Sequence, residues 1–338
     1  MKTTKLGGTA SSVTVGKIGH GLMMATLRST PLPDEEIFEA MKAGIEAAGP
    51  GAKMFFNSAD LYARDPPEAN LSLINRFFTK YPEYADRAFL SVKSAFDMQK
   101  FAPDSSEANV RRSVDAINKH LGGAKRMDLF ECARVDPNIP IEETIALLAQ
   151  LIKEGKFDHI GLSECSAETL RRAHKVHPIA AVEIEVSLWS YEEETKKVIA
   201  AAEELGVAVI AYSPLGYGAI TGKVNLESLD KDDHRCRFDW FQEENLRNNQ
   251  KIVDALTTFA QRKGATVAQV AIAWVGSRGS HVIPLPGSSN IVRTKENLGA
   301  ADIEFSTEEL REIERLGSTG VKGGRYGGNP KATTYLWG

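Results

Sequence analysis

Eight short apolar runs alternate with amphipathic stretches along this 338-residue chain. That alternation limits what it can fold into more than any other feature. The runs lie at 14–18, 54–57, 88–92, 128–133, 159–162, 181–185, 207–212 and 282–285. Helical patterns with start and stop signals fill the intervals. Asp34-Glu35-Glu36 opens a helix that reaches Ala48 and is halted by Gly49-Pro50. Asp104-Ser105-Ser106-Glu107 reads as a capping box before a helix over 110–120. The stretch 141–153 stops at Glu154-Gly155-Lys156, Ser166-Ala167-Glu168 opens the next helix, and 192–205 ends at Gly206. Strands alternating with helices predict a parallel sheet. Eight such units predict an α/β chain closed into a (β/α)8 TIM barrel.

Length alone would suit two domains, but barrels of this kind run past about 250 residues as one. The expectation is a single domain over 1–338. An open doubly wound sheet would carry GxGxxG directly after a strand. Gly19-His20-Gly21 and Gly216-Tyr217-Gly218 both lack the third glycine in register. Two segments stand outside the alternation. The polar stretch 222–246 is a long loop after the seventh strand, and Trp240-Phe241 near its end suits a covering lid. The glycine-rich tail 323–338, with Tyr326, Tyr335 and Trp337, suits an arm over the barrel mouth.

A formal net charge of -4 gives no global pull toward nucleic acid or an anionic membrane. No run approaches the roughly 20 apolar residues of a membrane span, and the polar first 15 residues contain no apolar leader segment. The three cysteines, Cys132, Cys165 and Cys236, form neither CxxC nor zinc-type spacing. They fit a reducing, cytoplasmic setting without a metal.

In a barrel the chemistry sits at the C-terminal ends of the strands. Asn57-Ser58-Ala59-Asp60-Leu61-Tyr62 follows Met54-Phe55-Phe56, and Lys93 follows the run at 88–92. If Tyr62 and Lys93 meet, the ammonium favours the phenolate and lowers a pKa that is normally about 10. A tyrosine so tuned can protonate a carbonyl oxygen. The same two residues also suit a half-buried tyrosine and a lysine snorkelling off a strand end. A second constellation is Pro284-Leu285-Pro286-Gly287-Ser288-Ser289-Asn290, running on to Arg293, Glu296 and Asn297. It reads as a strand end, a turn and a helix start, where free N–H groups and the Ser288 hydroxyl can meet a phosphate. Arg293 can grip a second phosphate. Ordinary helix capping by Ser288 or Ser289 is the alternative. A third is Ala211-Tyr212-Ser213-Pro214-Leu215-Gly216, where a strand-end ring can stack on a flat cofactor and Lys223 lies close in sequence.

Taken in order, these segments resemble the aldo-keto reductases over nearly the whole chain. The motifs are 57–62, 128–137, 161–163, 182–189, 211–216 and 284–297. The resemblance implies an NADPH-dependent carbonyl reductase with a small aldehyde substrate. It implies that Tyr62 is the proton donor, tuned by Lys93 with Asn57 beside it. Tyr212 would stack on the nicotinamide, with Ser163 and Glu183 at its carboxamide. Ser213, Leu215, Gly216 and Lys223 would line the pyrophosphate, and Gly21, Leu22 and Met23 at the first strand end would join the cofactor site. Gly287, Ser288 and Arg293 would hold the 2′-phosphate end, and Glu296 and Asn297 the adenine.

The chain departs from the family where Asn57 replaces an aspartate and Ala133 a histidine. An asparagine accepts a hydrogen bond but carries no charge. Lys93 would then lose a neutralising partner and act more strongly on Tyr62, unless Asp60 supplies the charge. Ala133 leaves room beside the reacting carbon. Together with 130–136 and Gly161-Leu162-Ser163-Glu164, these departures are most similar to the fungal pyridoxal reductases. That implies reduction of pyridoxal to pyridoxine. Met24, Trp189, Tyr217 and Trp240 are candidate pocket walls. A general aldehyde or ketone reductase, and an NADPH-binding regulatory subunit with little activity, are the two rival readings.

Overall fold

The computed structural model describes residues 1–28, 30–63, 65–224, 229, 233–318, 320–324 and 333–338. Its centre is an eight-stranded parallel sheet, numbered here β1 to β8. β1 is His20–Gly21, β2 Met54–Ala59, β3 Ala88–Ser94 and β4 Leu129–Cys132. β5 is His159–Ser163, β6 Ala181–Glu185, β7 Ala208–Tyr212 and β8 Val282–Leu285. Each strand pairs with the next in order. The seam between β8 and β1 is joined by Gly19 N–H donating to Pro284 O at 2.9 Å and Gly21 N–H to Pro286 O at 3.1 Å. A Cβ on Gly19 would come within 2.9 Å of the Leu285 side chain and 3.3 Å of Phe55 O, so the seam is close-packed there. The fold is the α/β barrel that the alternation predicts.

Around the sheet run α1 (Asp34–Ala48), α2 (Ala69–Lys80), α3 (Glu107–Leu121), α4 (Ile141–Lys153), α5 (Ala167–Val176) and α6 (Glu193–Leu205). α7 (Glu243–Lys263) and α8 (Val267–Gly276) follow β7, and α9 (Ile291–Leu298) and α10 (Thr307–Ser318) follow β8. Outward strand residues such as Phe56, Val92, Phe130 and Val182 join the helices in one large apolar layer. Inward residues Phe55, Phe89, Leu129, Ala181, Ile210 and Ile283 form a separate core that fills the lower barrel. Side chains on a strand alternate faces. Two residues further along, the same strands therefore point Asn57, Ser91, Glu131, Glu183 and Tyr212 into the barrel.

Three details differ from the sequence expectations. The run at 14–18 is not the first barrel strand. Thr14–Gly16 pairs antiparallel with Thr3–Lys5, and Leu6, Ala10 and Val15 pack against the lower core. The barrel strand is the two-residue His20–Gly21. The capping box at 104–107 does not form. Ser106 is the N-cap without a side-chain bond, because Asp104 turns back to accept from Ser106 N–H. The long segment after β7 holds Trp240 and Phe241 fully buried in a cluster with Ala219. Its residues 225–228 and 230–232, and 325–332 of the tail with Tyr326, lie outside the described residues. The end of the tail reaches β5, where Trp337 N–H donates to Glu164 O at 3.0 Å. Among the described residues no helix is long and apolar enough to cross a membrane, and no group of His, Cys, Asp or Glu could hold a metal.

Candidate active site

The C-terminal ends of the strands carry backbone tension that the lower ends lack. Ala95, Glu164 and Ser213, each just past β3, β5 or β7, adopt left-handed φ of 59°, 53° and 51°. Non-glycine residues in that region store on the order of 1 kcal/mol or more each and gather at functional sites. The strain turns the chain sharply at this rim, which becomes the floor of a mouth.

The strand ends bring Tyr62 and Lys93 together. Asn57 and Ala59 of β2 face Ser91 and Lys93 of β3 in register, and Tyr62 comes back over them through Tyr62 N–H to Ala59 O. Lys93 Nζ stands 5.1 Å from the centre of the Tyr62 ring. It donates to Asn57 Oδ1 at 2.7 Å. The Tyr62 hydroxyl makes a long bond, 3.4 Å, to the same oxygen and is within hydrogen-bonding reach of Lys93. Both side chains are buried.

The negative charge beside Lys93 comes from across the barrel. Glu183 of β6 holds the ammonium through Oε1 at 2.9 Å and Oε2 at 3.0 Å. Asn57 Nδ2 donates to Glu183 Oε2 at 2.5 Å. This corrects two expectations. Lys93 does not lose its neutralising partner, and Asp60 does not replace it. Asp60 turns away to accept from the Ser94 hydroxyl. Burial pushes its carboxyl up. Glu183, expected at a carboxamide, belongs to the lysine's ion pair here.

The electrostatics of Tyr62 follow. Burial is the largest influence and pushes the phenol above its usual value. Lys93 pulls it down, but Glu183 counters that pull. The net direction is upward, opposite to the lowering expected from the tyrosine–lysine pair alone. Lys93 itself is raised: burial works against its charge, and the fields of Glu183, Tyr62 and Glu131 overcome burial. The resting site therefore holds a protonated phenol against a charged ammonium.

The rim around this centre carries the residues that could hold an anionic cofactor. Gly21 and Gly287 bridge the seam as bare backbone, with a Cβ on Gly21 only 3.6 Å from Gly287. Leu22 is buried, and Met23 opens the short helical turn after it. Arg293 and Lys223 are exposed cations, neither in an ion pair with the described residues. Tyr212 is half-buried at the end of β7, followed by Ser213, Leu215 and Gly216 in a turn with Gly216 N–H bonded to Ser213 O. Ser163 is buried at the end of β5, level with Glu183. Asn297 is buried and Glu296 half-buried on α9.

The α9 start differs from the capping alternative. Asn290, not Ser288 or Ser289, caps the helix, accepting from Val292 N–H at 2.9 Å and Arg293 N–H at 3.3 Å. Ser288 is occupied with Asn290, donating to its carbonyl at 2.9 Å and accepting from its N–H at 3.2 Å. Two of the helix's end donors are thus satisfied within the chain. Of the candidate walls, Trp189, Tyr217 and Trp240 pack on one another, with ring centres 5.9 Å and 6.1 Å apart, and Tyr217 donates to Glu185 at 3.2 Å. Met24 lies apart from them after β1.

Sequence reasoning missed Glu131. It sits inside β4, opposite Lys93 in register, and accepts from the Ser91 hydroxyl at 2.9 Å. A glutamate at an inward position of a barrel strand, two residues before Ala133, was the available signal.

Known proteins place this architecture. Residues 17–318 match the aldo/keto reductase family, and the chain belongs to it. It is therefore one of a family of oxidoreductases acting on carbonyls. It is 35% identical over 308 residues to probable pyridoxal reductase 2 of Schizosaccharomyces pombe, covering 89% of this chain and 91% of that protein. It is also 35% identical over 318 residues to probable aldo-keto reductase 1 of Glycine max, covering 92% and 88%. A glycerol dehydrogenase from Gluconobacter oxydans superposes with a TM-score of 0.79 over 93% of this chain and 94% of its own, at 22% identity, which speaks for the fold.

Proposed function

We propose that this protein reduces pyridoxal to pyridoxine with NADPH. The observation that carries the reading is the buried Tyr62 phenol beside the Lys93 ammonium at the barrel mouth. Similarity to a protein named as a probable pyridoxal reductase supports the substrate. So does Ala133 at the end of β4, a small side chain where the family carries a histidine. Arg293, Lys223 and the bare Gly21–Gly287 seam would hold the phosphates, and Tyr212 would lie against the nicotinamide.

NADPH, when bound, would supply the hydride for the aldehyde carbon. The chain supplies the rest. Tyr62 keeps its proton in the resting site because burial favours the neutral phenol. Its weak 3.4 Å bond leaves the hydroxyl able to turn to the aldehyde oxygen. As charge develops on that oxygen, Tyr62 gives it the proton, and the phenolate that remains faces Lys93. The oxygen gains one proton, the carbon one hydride, and the product is an alcohol. Such a positioned acid contributes about 10²–10⁴-fold.

The loss of a histidine at 133 would favour a regulatory subunit of little activity, but the Lys93–Glu183 pair keeps the lysine placed and charged, which favours an enzyme. The test is to mix protein, NADPH and a panel of aldehydes and follow nicotinamide absorbance. Pyridoxal should give the highest kcat/KM. Equal values for simple aromatic aldehydes would assign a general reductase, and tight NADPH binding without oxidation would assign the regulatory subunit.

A further inference from the structure

The amide at position 57 and the carboxylate at 183 are complementary in a way that neither residue alone explains. Asn57 presents its oxygen to Lys93 and its NH2 to Glu183. An aspartate there would set a second carboxylate oxygen against Glu183 at the 2.5 Å where the amide now donates. Like charges that close are strongly unfavourable. An asparagine is the isostere that bonds both neighbours. We propose that Glu183 of β6, and not residue 57 of β2, is the positioning residue whose charge fixes Lys93 beside Tyr62, and that Glu131 of β4 buttresses Glu183 by hydrogen bonding.

Three observations carry this. The Lys93–Glu183 contact uses both carboxylate oxygens and is buried on both sides, so water does not screen it. Glu131 and Glu183 are within side-chain hydrogen-bonding reach. Burial first, and then the charge of Glu183, push the Glu131 carboxyl far up. The raised Glu131 carboxyl stays protonated and donates to Glu183, while its other contact is the Ser91 hydroxyl. The room for Glu131 is made by Gly161 of β5, where a Cβ would lie 3.3 Å from Glu131 Oε2 and 2.7 Å from Leu129. Gly161 and Glu131 are register partners. The site thus holds two adjacent acids under the lysine, Glu131 and Glu183, with Gly161 of β5 making room between β4 and β6. Glu131 and Glu183 touch no reacting atom; they act through Lys93.

The kinetic arm of the test rests on the reductase reading, and the stability arm does not. Four proteins are compared: wild type, Glu183→Gln, Asn57→Asp and the double variant. Each single change breaks the complement, in one case by removing the counter-charge and in the other by doubling it. Each should lower Tm by roughly 5 °C or more. The double variant moves the carboxylate to position 57 and should recover most of the loss. In Glu183→Gln kcat should fall by at least about 10-fold and recover in the double variant, with NADPH Kd within about 3-fold throughout. A double variant less stable than either single would overturn the proposal. So would Glu183→Gln with unchanged Tm and an NADPH Kd raised about 10-fold, the signature of a cofactor contact. Wild type that oxidises no NADPH with any aldehyde would remove the reductase reading and leave the Tm pattern to decide the charge exchange. For Glu131, the infrared band of a protonated carboxyl should be present at neutral pH and vanish in Glu131→Gln; its absence from wild type would remove the buttress.

Discussion

The lower and upper halves of the barrel interior are built from the same strands and behave as different materials. Phe55, Phe89 and Leu129 face one another in an apolar plug closed from beneath by the N-terminal hairpin. One inward position further along, Asn57, Ser91 and Glu131 take their places, with Lys93 and Glu183 bonded among them. The lower layer stabilises by removing apolar area from water. The upper layer is costly to bury and is held only by mutual satisfaction of its charges. The contrast teaches that stability and chemistry in this chain are separated by two residues along each strand. Removing the reacting phenol should therefore cost turnover alone and removing a lower-layer side chain stability alone, whereas breaking the buried Lys93–Glu183 pair should cost both.

The sharpest way to break that comparison is a pair of substitutions, one in each region. Tyr62→Phe should lower kcat by about 10²–10⁴-fold with NADPH affinity and Tm nearly unchanged. Undiminished turnover would remove Tyr62 from the acid role. Phe89→Ala should lower stability by about 3–5 kcal/mol, read by denaturant unfolding, with kcat at low temperature preserved. Loss of both properties together in either variant would show the two layers to be one unit.

Smaller effects sharpen the picture at the rim. Arg293→Ala should weaken NADPH by about 10-fold, near 1.4 kcal/mol, and NADH far less. Equal losses, measured by fluorescence titration, would remove Arg293 from the 2′-phosphate. The smallest expected effect is that of pH. Tyr62 must be protonated to act as an acid, and burial raises its pKa above the usual 10.0. Reduction should thus stay level as pH rises toward that value and fall only above it. A decline in kcat/KM that begins near neutrality would show the phenol to be lowered instead.

Much of this was legible along the chain. Seven apolar runs coincide with barrel strands, since short, mostly apolar stretches between helices have few other homes in a compact fold. His20–Gly21 was not legible as a strand. Two residues, one of them glycine, carry no propensity signal, and only the closing seam makes them part of the sheet. Tyr62 and Lys93 were legible as a pair because β2 and β3 are consecutive and paired. Asn290 was passed over as the cap of α9 because Ser288 and Ser289 are equally good cap formers. The three-dimensional turn, and not the residue type, selects among them.

The amino-acid order by itself determined seven of the eight barrel units, the inward or outward parity of their strand residues, and the polar character of the strand ends. Those depend on neighbours a few residues apart, where backbone sterics and side-chain spacing act. Only the closed barrel decided that Asn57 would meet Glu183, 126 positions away, and that Lys93 would find its counter-charge there and not at Asp60. Strand tilt and stagger set which inward side chains share a level, and those exist only once the sheet has closed on itself.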